Sequence, residues 1–348
     1  MITRPLLRCR PSAAPRLIRA YSYSTASPPS SPRRRPLAIS VVSAASLFAG
    51  YIGYTYLPSE PTTPINPYTF TPYILTARTA LSPSSALLTL APQHAPSPPT
   101  PAHFWPTIRA AGLWSVQVKQ PQLQIQREYT PLPPIDGKNP ADSDELRLFV
   151  RAVPAGEVSG YLLAQTLGDT VYLRGPVVTY AWPEGAAPGI HNVLFIAGGT
   201  GISPAVQVAR YLHDDALANG GPPRRLTILY ASRSSDEQLL PQLQALQRMH
   251  PAGDGKRGEG LEVDVRYFYD DKKTVITKSD VEKGVTDLAA SGNGGGRDVI
   301  MVSGPDGFVR HFAGAKGWKD GVETQGVLGG VLGDILRRQK QSIEVVKL

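Results

Sequence analysis

Val193-Leu194-Phe195-Ile196-Ala197-Gly198-Gly199-Thr200-Gly201-Ile202-Ser203-Pro204 is the stretch on which the fold turns. Val193 to Ala197 carry no charge and mostly bulky apolar side chains, which predicts a strand buried on both faces of a parallel sheet. Beyond the glycines, Val206, Ala209 and Leu212 recur at helical spacing. A strand, a glycine turn and a helix in succession bring backbone N–H groups and a helix N-terminus up to a phosphate, because glycine has no Cβ to block the approach. Pro204 suits the first helical turn, where its missing N–H costs nothing.

The same alternation continues downstream. Strands are expected at Asn192 to Ala197, Leu226 to Ala231, Leu261 to Tyr269 and Asp298 to Val302, with helices from the glycine turn to His213, near Gln238 to His250 and from Ser279. Such a βα series predicts a doubly wound parallel sheet with helices on both faces. Ligands of these sheets bind beyond the carboxyl ends of the strands, where Gly199 to Ile202, Ser232 and Arg233, and Ser303-Gly304-Pro305 all fall.

Upstream the pattern is different. Short strand-like runs at Phe70 to Leu75, Ser85 to Leu90, Leu113 to Val118, Leu123 to Ile125, Leu146 to Val153 and Thr170 to Leu173 are broken by Pro, Ser and Gly. Their spacing suggests a small antiparallel β-barrel. Ala91 to Pro106 and Pro131 to Asp144 read as loops, Gly160 to Leu167 as a helix, and Ala181 to Gly189 as a hinge. Strand alternation places Arg127 and Tyr129 on one face.

Three motifs in order carry a resemblance. Gly198-Gly199-Thr200-Gly201-Ile202-x-Pro204 resembles the nicotinamide-dinucleotide loop of the ferredoxin reductase and cytochrome b5 reductase superfamily. Arg127-x-Tyr129-Thr130 is similar to its flavin motif, and Gly156-Glu157-Val158-Ser159 to its Gly-x-x-Ser/Thr. Gly168-Asp169 through Gly175-Pro176 and Ser303-Gly304-Pro305 extend the likeness, the latter with Ser303 where the family commonly has Cys. The resemblance implies an antiparallel FAD-binding barrel followed by an NAD(P)-binding domain, with FAD and NADH or NADPH as cofactors. Arg127, Tyr129, Thr130, Gly156, Val158 and Ser159 would bind the flavin. Gly198, Gly199, Thr200, Gly201, Pro204, Ser232, Arg233, Gly304 and Pro305 would bind the nicotinamide dinucleotide, and Thr130 and Ser303 would lie nearest the reacting atoms. Glu157 stands where the family commonly has Lys, an unfavourable charge beside a diphosphate. Ser232 and Arg233 fit a 2′-phosphate or merely a loop, so NADH and NADPH both stay open.

The N-terminal region adds an address. Residues 1–35 hold eight Arg and no acidic residue, the composition of a mitochondrial transit peptide. Removing those eight from the 36 basic residues leaves 28, equal to the 28 acidic residues. The formal charge of +8 therefore resides in the leader, and with no basic, aromatic-laced patch after it no nucleic-acid partner is expected. Leu37 to Leu57 is 21 residues without a charge, enough to cross a bilayer at roughly 1.5 Å per residue. A buried core helix is the competing reading, but Arg33 to Arg35 precede the stretch and Tyr51, Tyr54 and Tyr56 cluster at its end, as interfacial anchors do. The expectation is a single-pass protein of the mitochondrial inner membrane whose soluble part faces the intermembrane space. Its segments are 1–35 leader and basic flank, 36–58 transmembrane helix, 59–66 linker, 67–186 FAD-binding barrel and 187–348 NAD(P)-binding domain. The one cysteine, Cys9, lies in the leader, so the rest of the chain can form neither a disulfide nor a cysteine-ligated metal centre, and the six His show no metal-ligand spacing.

Leader, span and the closing segment Gly326 to Leu348 narrow the resemblance to fungal mitochondrial flavoproteins that assist haem attachment to cytochrome c. By that resemblance electrons would pass from NAD(P)H through FAD to haem iron, with cytochrome c or haem lyase as partner. Electron transfer of the cytochrome b5 reductase type and a non-catalytic, flavin-bearing assembly factor are the alternatives. The Gly-rich closing segment reads otherwise as a flexible tail.

Overall fold

The computed structural model of the protein describes residues 65–94, 104–133, 144–182, 189–220, 223–235, 243–244, 260–290 and 297–348. The expected leader and span lie outside the described residues, as does the helix expected near Gln238 to His250 apart from 243–244. No helix among the described residues is long and apolar enough to cross a membrane.

The first half is built on β1 (Thr71–Ser82), β2 (Ser85–Pro92), β3 (Gly112–Gln120), β4 (Ile125–Tyr129), β5 (Pro131–Leu132), β6 (Leu146–Arg151) and β7 (Thr170–Ala181). Helix α1 (Phe104–Ala111) leads into β3, and α2 (Glu157–Ala164) lies between β6 and β7. The strands form one antiparallel sheet in the order β4-β3-β7-β1-β2-β6-β5. Its two outermost strands, β4 and β5, are separated in the chain by Thr130 alone, so the backbone itself joins the two edges and rolls the sheet into a barrel. Tyr73, Leu75, Leu88, Leu148 and Leu173 fill the interior, and α2 adds Val158 and Leu162 to it.

Several local expectations shift. Pro131 and Leu132, expected to open a loop, form β5, and Ala91 and Pro92, expected in the loop to Pro106, end β2, because each pairs with a neighbouring strand. The run at Leu123 is a turn, with Gln124 at φ 57°, and the strand begins at Ile125. The stretch expected to be loop up to Pro106 already enters α1 at Phe104. The helix expected over Gly160 to Leu167 begins at Glu157, because Gly156 is its N-cap; the Gly-x-x-Ser motif is the first turn of that helix and not its approach.

The second half runs β8 (Ile190–Gly198), a short 3-10 turn (Gly199–Gly201), α3 (Ile202–Asn219), β9 (Arg224–Ser232), β10 (Leu261–Tyr269), α4 (Lys278–Ala290), β11 (Arg297–Ser303), α5 (Asp306–Ala313), the hairpin β12 (Gly317–Lys319) and β13 (Val322–Thr324), α6 (Gly330–Gln339) and β14 (Glu344–Lys347). Five strands pair in parallel in the order β10-β9-β8-β11-β14. Alternation along β8 explains its unbroken apolar run. Val193, Phe195 and Ala197 face α3, whereas Leu194 and Ile196 face the layer of α4, α5 and α6. Helices thus cover both faces. The Gly-rich closing segment is ordered: α6 buries Leu332, Ile335 and Leu336, and β14 is the fifth strand.

The two halves share one apolar cluster. Leu113, Leu132, Phe149 and Trp182 pack with Ala205, Ala209 and Leu212 of α3. The Trp182 ring stacks on Tyr211 at 3.9 Å between centroids, and its indole N–H donates to the Arg109 carbonyl at 3.0 Å.

Candidate dinucleotide and flavin site

β8 ends where the parallel sheet ends, and the glycines there are required by their surroundings. A Cβ on Gly198 would come within 3.0 Å of the Phe308 ring, and one on Gly201 would collide with the Ser303 carbonyl. Gly199 has φ 57°, a left-handed conformation that side chains disfavour. The loop after β8 and the Ser303-Gly304-Pro305 loop after β11 are thereby packed backbone to backbone, and Gly304 lies against Gly198. Gly201 caps α3 without any side-chain hydrogen bond; the Ile202 N–H closes back on the Gly199 and Thr200 carbonyls, so the helix starts tightly against the loop with its positive dipole end there. Pro204 is buried in that first turn, while Thr200 is exposed on the rim.

A cavity of about 320 Å³ opens at this end, lined by Gly198, Gly199, Ser232, Arg233 and Pro305 and closed on the barrel side by Arg151. Five of the residues expected to bind the dinucleotide meet here. Ser232 is 4% exposed, and its hydroxyl is left without a hydrogen-bond partner. A buried hydroxyl in that condition costs free energy unless a ligand answers it. Glycines without Cβ, an uncapped helix start, two arginines and an orphan hydroxyl together suit a nicotinamide dinucleotide with its diphosphate. Ser303 is 6% exposed, and it stands behind the glycine turn with its carbonyl against Gly201.

On the barrel, Tyr129 pairs with Val116 and Arg127 with Val118, so both project on the pleat face of those core valines, as alternation predicts. Glu128 projects on the opposite face, where Ser115 Oγ donates to it at 3.0 Å and Gln117 Nε2 at 3.2 Å. Those bonds hold the register that directs Arg127 and Tyr129 the other way. Burial pushes the Tyr129 phenol up to about 12 despite Arg127 nearby, so it remains a neutral donor at pH 7. Helix α2 packs on β3, β4 and β6, which brings the two flavin motifs together. Its N-cap Gly156 makes no side-chain bond, so its first N–H groups are available to an anion.

Two motif residues have supporting roles. Val158 is buried in the barrel core, so only its backbone can face a ligand. The Ser159 hydroxyl donates to the Gly156 carbonyl at 3.0 Å and accepts from Val153 N–H at 3.1 Å, which shapes the turn. Glu157 is exposed in the first helical turn, where a carboxylate favours the helix dipole.

Arg151 and Gln207 were missed in the sequence. Arg151 is the cation that ends the apolar run of β6, and its guanidinium reaches to within 3.1 Å of where a Gly199 Cβ would stand. Gln207 is a buried polar residue among Val206, Val208 and Ala209 on α3.

Residues 107–182 match the oxidoreductase FAD-binding domain family, and residues 195–313 the oxidoreductase NAD-binding domain family. An FAD-binding protein of Schizosaccharomyces pombe is 30% identical over 57% of this chain and 64% of its own, so the match spans just under two thirds of that relative. An NADH-cytochrome b5 reductase 2-B of Vanderwaltozyma polyspora is 26% identical over 68% of this chain and 69% of its own. Among solved structures, the cytochrome b5 reductase domain of Ulva prolifera nitrate reductase superposes with a TM-score of 0.54 at 18% identity, covering 82% of this chain and 99% of that one. A Plasmodium falciparum ferredoxin-NADP+ reductase gives 0.51 at 16%, covering 82% and 98%. Barrel, parallel sheet, glycine turn and both domain matches place the chain in the ferredoxin reductase-like superfamily of FAD-binding oxidoreductases.

Proposed function

We propose that the protein is an FAD-dependent NAD(P)H oxidoreductase that delivers electrons to a one-electron acceptor. The observation that carries this is the convergence of the glycine turn, Ser232, Pro305 and the barrel's Arg151 on one cavity. When bound, FAD supplies the conversion between two-electron hydride chemistry and single-electron release. The chain's own residues do the rest: Arg127 and the start of α2 hold a diphosphate, Tyr129 and Thr130 offer hydroxyls along the seam of the barrel, and the glycine turn seats the dinucleotide. Hydride transfer needs no acid–base residue, so positioning is the protein's main contribution.

The acceptor in this reading is haem iron, kept ferrous during attachment to apocytochrome c, with cytochrome c or haem lyase as partner. The protein is anchored by Leu37 to Leu57 in the mitochondrial inner membrane and faces the intermembrane space. This reading is supported by the Arg-rich leader, the charge-free stretch after it and the resemblance of the closing segment. General electron transfer of the cytochrome b5 reductase type is the nearest alternative. A second reading, a flavin-bearing assembly factor without turnover, is favoured by Ser303, which cannot make the polarizable thiol contact of the family's Cys.

An anaerobic visible spectrum separates the two. Flavin absorbance bleached by NADH or NADPH, followed by reduction of added ferric haem, supports the reductase; yellow protein that neither nicotinamide bleaches overturns it. Release of the intact protein from mitochondrial membranes by alkaline carbonate would overturn the anchoring.

A further inference from the structure

We propose that Gln207 is a positioning residue that sets the dinucleotide-binding helix against the flavin motif, and so fixes the alignment of the two cofactors. This rests on the oxidoreductase reading above.

The argument begins with a defect in the barrel. β3 and β4 pair as Val118 with Arg127 and Val116 with Tyr129. Continuing that register by two residues would place Trp114 opposite Pro131. Within a strand, N–H and C=O groups two residues apart point the same way, so those of Trp114 are directed at this gap. Pro131 has no N–H to return, and it turns away to pair with Leu148 of β6. The ladder therefore splits where the flavin motif ends, with Thr130 at the fork.

Gln207 fills the split from the other half of the molecule. Its Oε1 accepts from Trp114 N–H at 3.1 Å, and its Nε2 donates to the Trp114 carbonyl at 3.1 Å and the Pro131 carbonyl at 2.8 Å. Both amide protons and the oxygen are used, which fixes the orientation of the group. Gln207 is 8% exposed, so water does not compete. It sits six residues after Gly201 on α3, the helix whose N-terminus faces the dinucleotide cavity. One side chain thus ties that helix to Pro131, the residue that follows Thr130. An apolar residue of equal length would fill the space but remove three buried hydrogen bonds between α3 and the barrel. Reacting atoms need contact within a few tenths of an ångström, and a displacement of about 1 Å can cost up to about 100-fold in rate.

The test compares flavin-loaded parent, Gln207→Met and Gln207→Asn. We expect both variants to keep the parent's flavin content and its rate of electron transfer from dithionite-reduced flavin to ferric haem. Amide exchange at Trp114, which a lost acceptor exposes, should rise. The limiting rate of flavin reduction at saturating NADH should fall at least about tenfold, with the NADH dissociation constant within about twofold. The long-wavelength charge-transfer absorbance on mixing with NADH should weaken in parallel. Unchanged limiting rate and charge-transfer absorbance in flavin-replete variants would overturn the proposal alone, as would a rate loss that merely follows flavin loss. A parent that neither nicotinamide bleaches overturns the reductase reading and this proposal with it. If Gln207→Met fails to fold, Gln207→Asn, which keeps the amide one methylene short of its partners, decides by the same readouts.

Discussion

Arg127 and Ser159 belong to matching motifs but have unequal tasks. Arg127 is exposed on the barrel face that carries Tyr129, and among the described residues its guanidinium donates to the neighbouring Gln126 carbonyl, at 2.8 Å. Its charge is available to a diphosphate, and Arg127→Ala should lower flavin content per purified chain. Ser159 already bonds Val153 and Gly156, so Ser159→Ala should lower stability by about 1 kcal/mol in urea titration with little change in flavin. Equal flavin retention by parent and Arg127→Ala would show the motif to be misassigned. Gly199→Val places a β-branched residue at φ 57° beneath Arg151. It should keep the yellow colour and lose bleaching by either nicotinamide, while dithionite-reduced protein still reduces ferric haem at the parent's rate. A variant bleached as fast as the parent would remove the dinucleotide assignment. The glycines and Arg127 could be recognised in the sequence because their chemistry is local. The engagement of Ser159 depends on a turn only the folded chain defines, and Gln207 finds its partners 93 and 76 residues away.

Elements followed their periodicity wherever packing and local preference agreed. β8 was plain because both its faces are buried, and β10 was read to its boundaries. The closing segment was obscured because Gly326, Gly329, Gly330 and Gly333 weaken the helical signal, although Leu332, Ile335 and Leu336 define a buried stripe once α6 has a sheet to cover. Two of those glycines answer to close contacts: a Cβ on Gly330 would strike the His311 carbonyl, and one on Gly326, at φ 59°, the Ala315 carbonyl. Lys347 fastens this region. It is 3% exposed, and its ammonium donates to the Ala315 and Val327 carbonyls, each at 2.9 Å, at the base of the β12–β13 hairpin. Burial lowers its pKa. Lys347→Met should destabilise the protein by about 1–3 kcal/mol, speed amide exchange in the hairpin and leave flavin content alone. Unaltered hairpin exchange would show that the two bonds contribute nothing there.

For the molecule entire, the pH dependence of stability has a readable sign. His191 is held below its usual 6.5 by burial first and Arg224 second, with Asp215 and Asp298 opposing. His213 is lowered by burial, with Asp214 opposing and Arg210 adding to the shift. A depressed folded pKa means that the unfolded chain binds more protons in the window between the two values. The associated stability is therefore complete above pH 6.5 and is lost as pH falls through the folded values. The urea midpoint should decline from pH 6.5 towards about pH 5, and the double substitution His191→Gln, His213→Gln should flatten that decline. A parent curve already flat in this window would refute the assignment.

The joining of β4 to β5 through Thr130 has a consequence for solubility. An open sheet always presents two rows of unpaired backbone groups, and each is a template on which another chain can add. Here both rows lie along one short run of chain, the run that carries the flavin motif. Any change that frees this run uncovers two adhesive borders at once, so variants in it should precipitate during expression out of proportion to the stability they lose. The same economy makes a filled flavin site a safeguard against self-association.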